Sequence, residues 1–153
     1  MNDFDFLVGS WAIANRRRSP YLGEPGEWHE FPSTSTCVRL FDGAGNADSF
    51  LFPTLNTAGL TLRLQDVATG EWSLYWASSR DGRLQPPVVG RFADGVGTFL
   101  GDDMYEGRPI QVRYIWSDIT AVSARWEQSF SIDVGHTWSA NWVMSFTRVA
   151  QES

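Results

Sequence analysis

Apolar and polar residues alternate with a period of two along most of this chain, the spacing that sends successive side chains to opposite faces of a β-strand. The pattern is clearest near the C-terminus. Over 109–116, Ile110, Val112, Tyr114 and Trp116 share a face; over 121–130, Val122, Ala124, Trp126, Gln128 and Phe130 do so; over 138–148, Trp138, Ala140, Trp142, Met144 and Phe146 align. Residues 71–78 bring Trp72, Leu74 and Trp76 together. Residues 59–65 read as a half-buried strand with Leu60, Leu62 and Leu64 on one face and Thr61, Arg63 and Gln65 on the other. Shorter strands are predicted over 9–16, 35–41, 47–52, 88–92 and 96–100, giving about ten in all.

The breaks between them carry turn chemistry, such as Asp42-Gly43-Ala44-Gly45-Asn46, Ser79-Arg80-Asp81-Gly82 and Ala93-Asp94-Gly95. The Pro- and Gly-containing stretch 19–34 is too broken for a helix and is predicted to be the longest loop. Residues 102–106 read as an acidic, solvated connection near one mouth. No linker, low-complexity tract or charge block divides the chain, so 1–153 is expected to form one domain. An all-β chain of about ten short antiparallel strands loses its exposed edges most simply by closing on itself. The predicted architecture is therefore an antiparallel up-and-down β-barrel, with a two-sheet sandwich as the alternative.

The opening Phe6-Leu7-Val8-Gly9-Ser10-Trp11 resembles the Gly-x-Trp signature at the first strand of calycins, the group that includes lipocalins and fatty-acid-binding proteins. Arg148, in the closing Ser145-Phe146-Thr147-Arg148, is similar to the last-strand arginine that packs across the signature tryptophan in lipocalins. The resemblance implies a structural role for Trp11 and Arg148, joining first strand to last by a cation-π contact. The segments YWASS and WEQSF, with the DFDFLVGSW opening, also resemble a group of small bacterial calycin-like proteins of uncharacterised activity. Heme-binding barrels of similar architecture need an interior histidine. His29 is predicted in the long loop and His136 in the turn Asp133-Val134-Gly135-His136-Thr137, so neither heme nor any other cofactor or metal is expected.

Composition adds one unusual feature, 22 aromatic residues including eight tryptophans. That is more ring than a core of this size ordinarily needs, which suggests a ligand cavity. A net charge of −6 disfavours nucleic acid and anionic membranes as partners. The basic run Arg16-Arg17-Arg18 reads as a solvated strand end. Single Cys37 makes an internal disulfide impossible and reads as a small buried hydrophobe. The N-terminus lacks the basic and apolar regions of a signal peptide and no apolar run spans a membrane, so a cytoplasmic protein is expected.

The predicted ligand site is a common interior face made by Trp72, Trp76, Tyr114, Trp116, Trp126, Gln128 and Trp142, holding a small apolar or aromatic metabolite. Gln128 and Asp48 stand out as polar groups on otherwise apolar faces, each of which needs a partner. Arg39, Arg113, Arg125, Glu127 and Asn141 fall on the opposite, outer faces; with the faces exchanged, Glu127 would be a base and Arg39 or Arg113 an anion holder. The alternative reading is a cofactor-free enzyme of isomerase or cyclase type, with Glu127, Asp48 or His29 performing acid-base chemistry in the same cavity. A third is a homodimer whose interface includes Trp28 and Tyr75.

Overall fold

The computed structural model describes residues 3–150. The alternating segments form ten strands: β1 (Gly9–Ser19), β2 (Glu27–Leu40), β3 (Gly45–Phe52), β4 (Thr57–Gln65), β5 (Trp72–Ser78), β6 (Val88–Ala93), β7 (Val96–Tyr105), β8 (Arg108–Ser117), β9 (Ser123–Ser131) and β10 (Ser139–Arg148). Each pairs antiparallel with the next in sequence, and β10 returns to β1, so the sheet closes. The fold is an up-and-down barrel and not a sandwich. Closure runs through Trp11↔Arg148, Ile13↔Phe146, Asn15↔Met144 and Arg17↔Trp142.

One end of the barrel is sealed. The 3-10 turn Asp5–Leu7 tucks the N-terminal segment across it, and Phe4 packs edge-on against Trp72 and Phe92, both at 4.9 Å. The Arg148 guanidinium lies 4.2 Å from the Trp11 ring centroid. It also donates to the carbonyls of Phe6, Val8 and Ala121, which locks the N-terminal segment to the last strand. The other end is the mouth, framed by the connections 20–26, 53–56, 79–87, 106–107 and 132–138. The thinnest seam lies between β5 and β6, which pair only through Trp72↔Gly90, Ser73↔Val89 and Leu74↔Val88. At Gly90 a Cβ would overlap the Thr98 carbonyl, so only glycine permits the close β6–β7 approach.

Several expectations need correction. Residues 27–34 belong to β2 and not to a loop. Pro32 is accommodated because β3 pairs with β2 only from Thr34 onward, leaving one side of the strand unpaired there. Residues 102–105 extend β7 and are not a connection, which puts Asp102 and Asp103 on a strand at the mouth. Val122 precedes β9 and is exposed.

Strand β4 is turned inside out relative to the leucine pattern. Thr61 and Arg63 point into the barrel, where Arg63 is 2% exposed, while Leu60 is 41% exposed on the outer wall. Leu62 stands between Ala47 and Tyr75 on the same outer face, so the outer side chains cover one another. Alternation defines two faces without saying which is inside, and here the apolar one faces out. In β10 a β-bulge at Asn141 shifts the register between Ala140 and Trp142. The extra residue breaks the alternation. Trp142 therefore stays inside, whereas Trp138 lies outside with the Arg113 guanidinium 4.5 Å from its ring. Asn141, expected on the outer wall, is fully buried.

Candidate ligand chamber and its mouth

Inside the barrel is a chamber of about 50 Å³. Its apolar wall includes Phe50, Leu74, Trp116, Met144 and Phe146, and its ring faces are Trp76, Tyr114, Trp126 and Trp142. Thr61, Arg63 and Gln128 supply the polar atoms. The rings hold each other in place: Tyr114 meets Trp126 edge-on at 5.0 Å, and Trp126 meets Trp142 at 5.7 Å. Edge-to-face packing of this kind is worth about 0.5–1.5 kcal/mol per pair beyond burial, so the wall is preformed.

Toward solvent the chamber meets two lobes of about 170 and 160 Å³. Trp76 and Trp142 line all three spaces, and Tyr21 stands between the lobes as a wall of both. The first lobe opens beside the thin β5–β6 seam and is lined by Gln85, Pro86, Asp102 and Asp103. The second is lined by Arg17, Phe52, Leu55, Ser78 and Arg80. A chamber of 50 Å³ has room for a few waters or one small substituent, and the larger spaces are the two lobes.

The tryptophans are oriented by residues absent from the sequence-based site. Trp142 Nε1 donates to Asn15 Oδ1 at 3.0 Å, and Asn15 Nδ2 donates to Ser33 Oγ at 2.8 Å. Gln128 Nε2 donates to Asn141 Oδ1 at 2.9 Å, so the bulge in β10 supplies the partner that the buried amide requires. Trp76 packs against Gly59, where any Cβ would overlap its indole. Asn15 shares the parity of Trp11 and Ile13, a readable signal; the bulge that buries Asn141 leaves no mark in the alternation.

Beneath the chamber lies a buried ion pair. Arg63 Nη1 reaches Asp48 Oδ2 at 3.1 Å and Asn46 Oδ1 at 2.9 Å. The guanidinium also lies 5.3 Å from the Phe4 ring and 5.7 Å from Trp116. Asp48 Oδ1 and Arg63 Nε have no hydrogen-bond partner among the described residues. Burial raises the Asp48 pKa, and the Arg63 charge pulls it back. Next to the pair, burial pushes the Cys37 thiol up to about 12, against the pull of Arg63. Cys37 is 2% exposed. It is therefore expected to resist a thiol reagent in the native protein and to label stoichiometrically once denaturant is added; rapid native labelling would contradict its placement.

Of the residues read as lining a site, Trp76, Tyr114, Trp116, Trp126, Gln128 and Trp142 meet at the chamber. Trp72 does not; it is buried in the sealed end, where its Nε1 donates to Asp3 Oδ2 at 2.9 Å. Burial pushes the Tyr114 phenol above its ordinary range, with Asp103 adding to the effect, so Tyr114 offers a neutral hydroxyl. None of the acid-base candidates reaches the chamber wall. Glu127 stands on the outer wall beside Arg125 at 3.4 Å, Asp48 is spoken for by Arg63, and His29 sits exposed at the rim of β2, cross-strand from Arg17. Arg39 and Arg113 are likewise outside, Arg39 pairing with Asp5 at 3.4 Å, so the exchanged-face arrangement does not occur. His136 lies in a turn organised by Asp133, whose carboxyl is held down to about 2 by hydrogen bonds from Thr137 and Ser131. Trp28, on the outer side of β2, lies under the Arg16 guanidinium at 5.2 Å.

No family model matches the chain, and no curated protein sequence does. Its backbone is similar to that of the S-type phycobiliprotein lyase from Guillardia theta, with a TM-score of 0.58 over 97% of this chain and 92% of that one. The two chains share the closed antiparallel barrel fold. At 9% identity the likeness is one of fold alone, and it does not reach the small bacterial group that the opening motif resembles. No helix among the described residues is long and apolar enough to cross a membrane.

Proposed function

We propose that this barrel binds a small planar molecule at its mouth, between Trp76, Trp142 and Tyr21, with one substituent reaching the chamber. The observation that carries this reading is the position of Trp76 and Trp142, which border the chamber and both lobes at once. Rings fixed by Gly59 and by the Asn15 hydrogen bond present stacking faces at no cost in ordering. Arg63, Gln128, Thr61 and the Tyr114 hydroxyl give the inserted substituent hydrogen-bonding groups in an otherwise apolar space. The barrel fold is shared with a protein named as a lyase, yet among the described residues the chamber wall holds no carboxylate, imidazole or thiol, and Asp102 and Asp103 line only the first lobe. Binding is therefore favoured over acid-base catalysis.

Phenylnaphthylamine, a neutral aromatic dye, provides the test. Wild-type protein is expected to bind one equivalent with enhanced dye fluorescence. Trp142→Ala is expected to weaken binding by about tenfold while near-ultraviolet circular dichroism still reports a packed core. Binding that survives loss of Trp142 and of Trp76 would sink this reading.

A further inference from the structure

The basic run at the end of β1 is not one feature but three. Arg16 points outward to Glu30 at 3.7 Å, and Arg18 is consumed by the Pro20 and Gly23 carbonyls of the following loop. Arg17, between them, turns inward and lines the second lobe of the mouth. Its guanidinium lies 5.1 Å from the Phe31 ring and 5.0 Å from Trp142, and it makes no ion pair or hydrogen bond among the described residues. Arg80 lines the same lobe and also lacks a carboxylate partner there. Among the described residues no acidic side chain borders this lobe, while the neighbouring lobe across Tyr21 carries Asp102 and Asp103.

From this polarity we infer that the ligand of the mouth is an aromatic anion, its carboxylate or similar acid group held by Arg17 and Arg80. The inference rests on the binding site proposed above and adds the charge and orientation of its occupant. The Phe31 and Trp142 rings flank the Arg17 guanidinium while its N–H groups make no hydrogen bond among the described residues, which leaves them for an oxyanion that arginine takes in two parallel hydrogen bonds. The net charge of −6 makes an uncompensated arginine pair conspicuous, because the rest of the molecule repels anions. The carboxylates of Asp102 and Asp103 reject the acid group from the other lobe, which fixes the direction in which the ligand enters. The rings of the ligand then lie along Trp76 and Trp142.

Two dyes that differ by a single sulfonate test this: anilinonaphthalene sulfonate and the neutral phenylnaphthylamine. They are titrated against the full chain as wild type, Arg17→Gln, Arg80→Gln and the double variant, with Trp76→Ala included to localise both dyes. Arg17→Gln is expected to weaken the sulfonate about tenfold and to leave the neutral dye within about twofold; Arg80→Gln acts in the same direction more weakly. Arg17→Lys restores part of the sulfonate affinity, and added salt weakens the sulfonate alone. Equal effects on the two dyes, or none on the sulfonate, would overturn the anion inference while leaving a neutral-ligand site standing. Failure of wild type to bind either dye would overturn the underlying binding reading as well.

Discussion

Asp48→Asn is expected to destabilise the barrel by about 3–5 kcal/mol, because it strands a buried guanidinium that cannot give up its proton. Arg63 is 2% exposed and its partner 0%, and the few neutral waters the chamber has room for cannot replace the charge of the lost carboxylate. Arg63→Met is expected to cost less at low pH and more at high pH. Without Arg63 the burial that already raises the Asp48 pKa acts unopposed, and the folded state holds a proton that the unfolded chain releases near its ordinary value. The folded state then binds more protons than the unfolded one across that window, so stability falls as pH rises. Urea unfolding at about pH 5 and pH 8 checks this: the variant should lose more stability than wild type between the two. Equal losses, or an Asp48→Asn variant as stable as wild type, would show that the pair is not buried as described.

The second large effect is expected at the closure. Arg148→Met removes three charge-assisted hydrogen bonds to backbone carbonyls, at 2.6 Å to Phe6, 2.7 Å to Val8 and 2.9 Å to Ala121, and uncovers Trp11. Because the side chain is only half-buried, the loss is put at about 3 kcal/mol, or a fall in Tm of roughly 10 °C. Arg148→Lys should recover less than half, since an ammonium cannot span carbonyls on both sides of the ring. A melting temperature within a degree or two of wild type in Arg148→Met would mean that the N-terminal segment holds itself in place.

Much of the fold is legible in the sequence because period-two alternation is written into β5, β8, β9 and most of β10, and those strands carry Trp76, Tyr114, Trp126 and Trp142 inward. What stayed hidden has physical causes. Of the outward leucines of β4, Leu62 shelters between Ala47 and Tyr75, and the inward Arg63 is tolerated because β3 places Asp48 and Asn46 within its reach. The demand of a buried Asp48 for a cation was readable, but the hairpin register that answers it was not. The bulge at Asn141 left Trp138 on the apparent inner face and hid the partner of Gln128. The basic run at β1 concealed its alternation, since three arginines in a row look alike until the strand sends each to a different place.

The most direct measurement of the central claim uses the eight tryptophans as reporters distributed over the molecule. Two-dimensional nuclear magnetic resonance of the indole N–H groups, recorded while neutral phenylnaphthylamine is titrated into the protein, reads every ring at once. The account predicts that the largest shifts fall on Trp76 and Trp142, which border chamber and lobes, with Trp126 following. Trp11 and Trp72 in the sealed end, and Trp28 and Trp138 on the outer wall, should move little. Shifts confined to Trp28 and Trp138, or no saturable shift at any ring, would contradict it.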